Sequence, residues 1–172
     1  MKEKNKMDEK KILIVEDKIE NIESARKYFE KYDIEIDVAQ TGKEALEKLE
    51  KNNDSYLFSV VDLSLPKVKG GEEELIGFEI GKKAEELGVP YLFATGIKMS
   101  GHHKIIPYDE FKTEYQKYYK GNPELDPRIV GLDKSIVNEW HNVYKRAEEL
   151  GILEMAEEVR RARARRKKFT RK

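Results

Sequence analysis

Asp62 is the first residue in this chain whose position suggests chemistry. It ends the run Tyr56-Leu-Phe-Ser-Val-Val, a mostly apolar stretch of strand length, and Pro66 stops the chain soon afterwards. Such a run predicts a buried strand with a carboxylate at its carboxyl end. Other apolar runs end in the same way: Lys11-Ile-Leu-Ile-Val leads into Glu16 and Asp17, Val89-Pro-Tyr-Leu-Phe-Ala into Thr95, and Arg128-Ile-Val-Gly-Leu-Asp into Lys134. In a parallel sheet these ends share one edge, the edge where open α/β sheets place their ligands. Carboxylates gathered there repel, each close pair by about 4 kcal/mol at an effective dielectric of about 20. One lysine cannot neutralise Glu16, Asp17 and Asp62 together. A hard divalent cation can, and an all-oxygen site that retains several waters suits Mg2+. Asp62 would then act as a carboxylate nucleophile toward a phosphoryl group. The Lys134 ammonium and the Thr95 hydroxyl would hold the added oxygens.

The elements that must position these residues alternate. A strand over Lys11–Val15, buried on both faces, precedes a helix from about Ile19 to Lys31 with Ile22, Ala25 and Phe29 on one stripe. Ile34, Ile36 and Val38 alternate with acids as in a half-buried strand nearer an edge, and Ala45, Leu46 and Leu49 mark a second helix. After the Asp62 strand, a helix is expected from about Glu73 to Leu87, carrying Ile76, Ile80, Ala84 and Leu87 inward, with Gly88 as its carboxyl cap. A long connection, 96–127, separates the fourth strand from the fifth and holds a helix between Pro107 and Gly121. From Ser135 a helix with Ile136, Val137, Trp140, Val143 and Tyr144 inward runs to Leu150, where Gly151 ends it or bends it into a further segment. Right-handed βα crossovers between short turns require a five-stranded parallel sheet with helices on both faces, an α/β doubly wound domain. The expected organisation is a charged tail over 1–10, a domain over 11–150 and a basic helical or frayed extension over 151–172. No Gly-rich phosphate loop of nucleotide-binding type is present.

Over about Lys11 to Leu150 the chain resembles the receiver domain of two-component response regulators. Glu16-Asp17 matches the family's acidic pair, Asp62 its phosphorylated aspartate, Pro66 and Gly70 its following loop, Thr95-Gly96 its switch hydroxyl with a small residue, and Lys134 its lysine. The resemblance implies a flavodoxin-like fold that takes a phosphoryl group from a histidine kinase or phosphotransfer protein with Mg2+. It also implies that the Ser64 backbone carbonyl joins Glu16, Asp17 and Asp62 on the metal. The surface around the fourth helix, fifth strand and fifth helix would then switch contacts with a downstream protein. On this reading the chain is a stand-alone phosphoacceptor, not an enzyme beyond slow self-dephosphorylation. Three positions depart from the family pattern: Lys18 follows the acidic pair, Ser135 replaces the usual proline after Lys134, and Gly131 stands where many receivers carry a switch aromatic. Coupling of Thr95 to an aromatic at 131 is thereby excluded.

Composition bounds the alternatives. The 172 residues include no cysteine, so disulfides are excluded, and no run reaches the length of a membrane span. A soluble cytoplasmic protein is expected. Charged residues make up 40% of the chain, and the zero net charge hides an asymmetry. Arg160–Lys172 carries nine Lys or Arg and no acid, so Met1–Val159 holds 25 basic against 34 acidic residues. The basic end is read as a solvated tail or as a weak, salt-sensitive contact to nucleic acid or an anionic surface. A phosphorylation-independent binding module using that tail is one rival reading. An aspartate-nucleophile phosphohydrolase of the haloacid dehalogenase type is another, although that class places a second acid where this chain has Ser64. His102 and His103 could ligate a metal or tune a phosphate site, but adjacent side chains diverge and an exposed loop is the simpler reading. The tyrosines from Tyr108 to Tyr119 are most simply the apolar face of the fourth helix.

Overall fold

A computed structural model describes residues 10–96 and 107–169. His102 and His103 lie outside the described residues.

Five parallel strands form one sheet in the order β2-β1-β3-β6-β7. They are β1 (Lys10–Val15), β2 (Ile34–Ala39), β3 (Tyr56–Val61), β6 (Tyr91–Thr95) and β7 (Ile129–Gly131). β1 and β3 are central and almost wholly buried, as continuous apolar runs require when both faces are covered. The alternating strand, β2, is one edge, and β7 is the other. A bulge in the β1–β3 pairing sets Lys11 beside Tyr56 but Leu13 beside Ser59, so Leu57 and Phe58 both join the same core layer.

Helices cover both faces. On one, α1 (Ile19–Glu30), α5 (His141–Glu149) and the start of α6 (Ile152–Phe169) pack Ala25, Phe29, Val143, Ala147, Ile152 and Ala156 against Ile12, Ile14, Phe58 and Leu92. The core therefore continues past Leu150, because Gly151, at φ 67°, turns the chain and lets α6 lay its first turns on the sheet. On the other face, α2 (Gly42–Asn52), α3 (Gly77–Glu86) and α4 (Tyr108–Gln116) cover Leu13, Val15, Val61 and Phe93. Thr41 caps α2 by accepting the Glu44 N–H, while the Glu44 carboxylate accepts from Gln40 N. The tyrosine stripe faces inward in part: Tyr115 and Tyr119 are buried against Phe78, whereas Tyr108 is exposed. Below them, Asp126 accepts two hydrogen bonds from the Arg128 guanidinium and one from Tyr115, and the guanidinium stacks 4.4 Å from the Tyr119 ring centroid.

Two expected helices differ. Glu73 does not begin one: Gly70, at φ 79°, reverses the chain, and β5 (Glu73–Glu74) pairs antiparallel with β4 (Leu65–Pro66). The helix starts only at Gly77, whose N–H donates to the Leu63 carbonyl. Gly88, at φ 71°, does close it. After Lys134 the chain makes a 3-10 turn over Val137–Trp140 before α5, and Ile136 is 47% exposed, not inward. Trp140, 1% exposed, occupies that inward space because its ring packs edge-on to Phe29 at 6.2 Å.

Candidate functional site

The carboxyl edge of the sheet gathers the residues singled out by their strand-end positions. Asp62 follows β3 and keeps the ladder for one more bond, its N–H donating to the Val15 carbonyl at 2.9 Å. Glu16, fully buried, continues β1 and donates its N–H to Ala39 of the edge strand. Lys134 reaches in from beyond β7, and its Nζ lies 2.5 Å from Glu16 Oε2 and 2.6 Å from Asp62 Oδ2. One ammonium thus bridges two carboxylates in a pocket where its own side chain is 6% exposed. The other Glu16 oxygen accepts the Lys18 N–H at 3.1 Å.

A support unforeseen in the sequence holds Lys134 in place. The indole N–H of Trp140 donates to the Lys134 carbonyl at 2.9 Å, and both groups are buried. Ser135 turns aside to bond Asp133 through its hydroxyl at 2.6 Å, and no peptide bond among the described residues is cis. Thr95, 8% exposed, ends β6, and its carbonyl accepts from Leu132 N. A Cβ at Gly96 would meet the Lys134 Cε at 3.8 Å, so the residue after Thr95 borders the lysine stem. Beside Gly131 there is open space where a switch aromatic would stand.

Burial sets the electrostatics. Loss of solvent pushes the Asp62 carboxyl up to about 7, with the Lys134 charge opposing the rise and Glu16 reinforcing it. Burial alone would lower Lys134, but Asp62 and Glu16 overcome it and hold the ammonium above its ordinary value. Asp17 is also raised, first by burial and then by the charges of Glu16 and Glu73. Glu73 is the site residue that sequence reasoning missed. The β4–β5 hairpin carries it back to the pocket, where the Ser64 hydroxyl donates to its Oε2 at 3.2 Å. Its acidic neighbours Glu72 and Glu74 fit an exposed helix start equally well, so only the hairpin distinguishes it.

Carboxylate oxygens of Glu16, Asp17 and Asp62 all lie within 4.8 Å of one another. Asp17 Oδ1 is buried with no hydrogen-bond partner. An orphaned carboxylate oxygen in an all-oxygen cluster, with two negative charges left over after Lys134, fits a hard divalent cation. The Ser64 N–H makes a long 3.5 Å contact to Asp62 Oδ1.

Residues 12–92 match the model of the response regulator receiver domain. The chain carries a receiver domain. The match ends inside β6, before Thr95 and Lys134. The fold is also that of solved receivers. The bacteriophytochrome response regulator AtBRR has 23% identity over 84% of this chain and 94% of its own, with a TM-score of 0.54. A CheY-like receiver domain protein from Methanospirillum hungatei JF-1 has 21% identity, 87% and 98% coverage, and a TM-score of 0.54. CheY in the CheX-CheY-BeF3-Mg complex of Borrelia burgdorferi has 16% identity, 82% and 88% coverage, and again 0.54. At these identities the likeness is one of fold. No curated protein sequence matches the chain. No described helix is long and apolar enough to cross a membrane.

Proposed function

We propose that the receiver domain is a phosphorylation switch in which Asp62 accepts a phosphoryl group from a phosphohistidine of a kinase or phosphotransfer protein. The observation that carries this reading is the Lys134 ammonium held between Glu16 and Asp62 beside the orphaned Asp17 oxygen. An Asp62 oxygen attacks phosphorus, the P–N bond of the donor breaks, and the imidazole takes its electron pair and a proton. Glu16, Asp17, Asp62 and the Ser64 carbonyl would hold Mg2+, which supplies charge neutralisation for the phosphoryl oxygens. Lys134 exchanges its contact with the Asp62 carboxylate for one with a phosphoryl oxygen, and the Thr95 hydroxyl donates to another. Both groups already sit at the same sheet edge, so the exchange is a side-chain movement.

The switch face comprises α4, β7 and α5. With Gly131 in place of an aromatic, the path from Thr95 outward runs through Phe93, two residues back on the same strand face, whose ring packs 5.2 Å from Phe78, and Phe78 packs 5.4 Å from both Phe111 and Tyr115 of α4. A shift of Thr95 therefore reaches α4 through aromatic packing and not through an aromatic on β7. The downstream partner is a protein that reads this face of α4, β7 and α5.

Intact mass after incubation with acetyl phosphate tests the acceptor. A gain of one phosphoryl group that requires Mg2+ and is absent in Asp62→Asn is the expected result. An adduct that persists in Asp62→Asn, or none in the native protein, overturns it.

A further inference from the structure

We propose that the distal half of α6 is a groove-binding element for duplex DNA, engaging the phosphate backbone without reading sequence. α6 is one continuous helix over Ile152–Phe169, and residues 160–169 of it include seven Lys or Arg and no acid. At about 1.5 Å rise per residue this is roughly one positive charge per 2 Å of axis. Duplex DNA carries about one negative charge per 1.7 Å. The two linear charge densities match.

Among the described residues, the helix is anchored by its first turns. Ile152, Leu153 and Ala156 belong to the core, while Val159 is 43% exposed and Arg161, Ala162 and Arg165 are exposed. The buried positions Ile152 and Ala156 lead along the helix to Val159, already 43% exposed.

The occupant follows from the arrangement of charge. A helix that lies in a membrane interface needs an apolar face opposite its cations. Here the basic positions, at about 100° per residue, are spread around the axis with only Ala162, Ala164 and Phe169 between them. A helix about 10–12 Å across fits the major groove of B-DNA, about 12 Å wide, and meets phosphates on both walls. The deep, narrow major groove of A-form RNA does not admit it. The acidic body is repelled by the same phosphates, which leaves the distal half as the contact. A groove lined by Tyr56, Leu57, Val89, Pro90, Met155 and Val159 places α6 at the amino-terminal edge of the sheet, opposite Asp62. The interaction therefore stands apart from phosphoryl transfer.

Anisotropy of a labelled duplex DNA of arbitrary sequence, titrated with the full chain across salt concentrations, tests the proposal. The expected affinity is roughly 10⁻⁴ to 10⁻⁶ M near physiological salt, with a log–log salt slope of about −6 and a loss of roughly 4,000-fold between about 50 and 200 mM. A chain ending at Val159 loses the binding while still taking up phosphate from acetyl phosphate, which reports its fold separately. The double variant Arg161→Glu, Arg165→Glu, with an unchanged circular dichroism spectrum, binds about tenfold or more weakly. An RNA duplex of the same sequence binds about tenfold more weakly than the DNA. Absence of DNA binding at low salt, binding retained by the shortened chain, or equal binding to the RNA duplex or to phosphatidylserine vesicles overturns it.

Discussion

The proton on Asp62 is shared between two environments that the pocket holds in opposition. Burial favours the neutral carboxyl and pushes it up to about 7, while Lys134 at 2.6 Å favours the carboxylate. An unfolded aspartate titrates near about 4. Between these values the unfolded chain has released the proton and the folded, metal-free protein has kept it. The stability contributed by the raised value is therefore complete below about pH 4 and lost as pH rises through about 7. Thermal melting in EDTA is expected to show the native protein losing more stability between pH 5 and pH 8 than Asp62→Asn, which has no proton to release. Parallel curves for the two proteins would remove Asp62 from that role. Asp62 and Lys134 were identifiable in the sequence because each ends or follows an apolar run. Trp140, whose indole fixes the Lys134 carbonyl, reads in sequence only as one more inward residue, since a hydrogen bond to a carbonyl six residues away leaves no periodic trace.

Elements carry the site by close approach. A Cβ on Gly77 would stand 2.4 Å from the Asp62 carbonyl oxygen and 2.6 Å from the Leu63 Cα. Both are backbone atoms that cannot rotate away, so α3 begins against the exit of β3 only because residue 77 has no side chain. Gly77→Ala is expected to cost about 1–3 kcal/mol in urea unfolding and to lower the fraction phosphorylated by acetyl phosphate. Unchanged values for both would show that α3 can shift freely from the strand. The same region is where element reading failed. Glu73 and Ile76 satisfy helical spacing with Ile80, and periodicity cannot see that Gly70 folds residues 73–74 back on 65–66. That hairpin, absent from any local signal, is what brings Glu73 to the pocket.

At the scale of the whole molecule, the end of the chain has two roles divided within one helix. Cutting after Leu150 removes Ile152 and Ala156 from the core and is expected to cost about 2–4 kcal/mol, whereas cutting after Val159 leaves melting within about 0.5 kcal/mol. Equal stability of the two shortened chains would mean that α6 packs without consequence. The alternation of the five sheet strands with helices, the parallel α/β class, the edge position of β2 and the strand-end positions of Glu16, Asp17, Asp62, Thr95 and Lys134 follow from the sequence alone. They follow because burial on two faces, on one face or on a helical stripe each writes its own period into the residues. The bridge of Lys134 between two carboxylates, the Trp140 support, the hairpin that returns Glu73 and the docking of α6 beneath β3 were decided only by the tertiary structure. Each depends on distances between segments remote in the chain, and a local pattern of hydrophobic and polar residues does not record which remote segments meet.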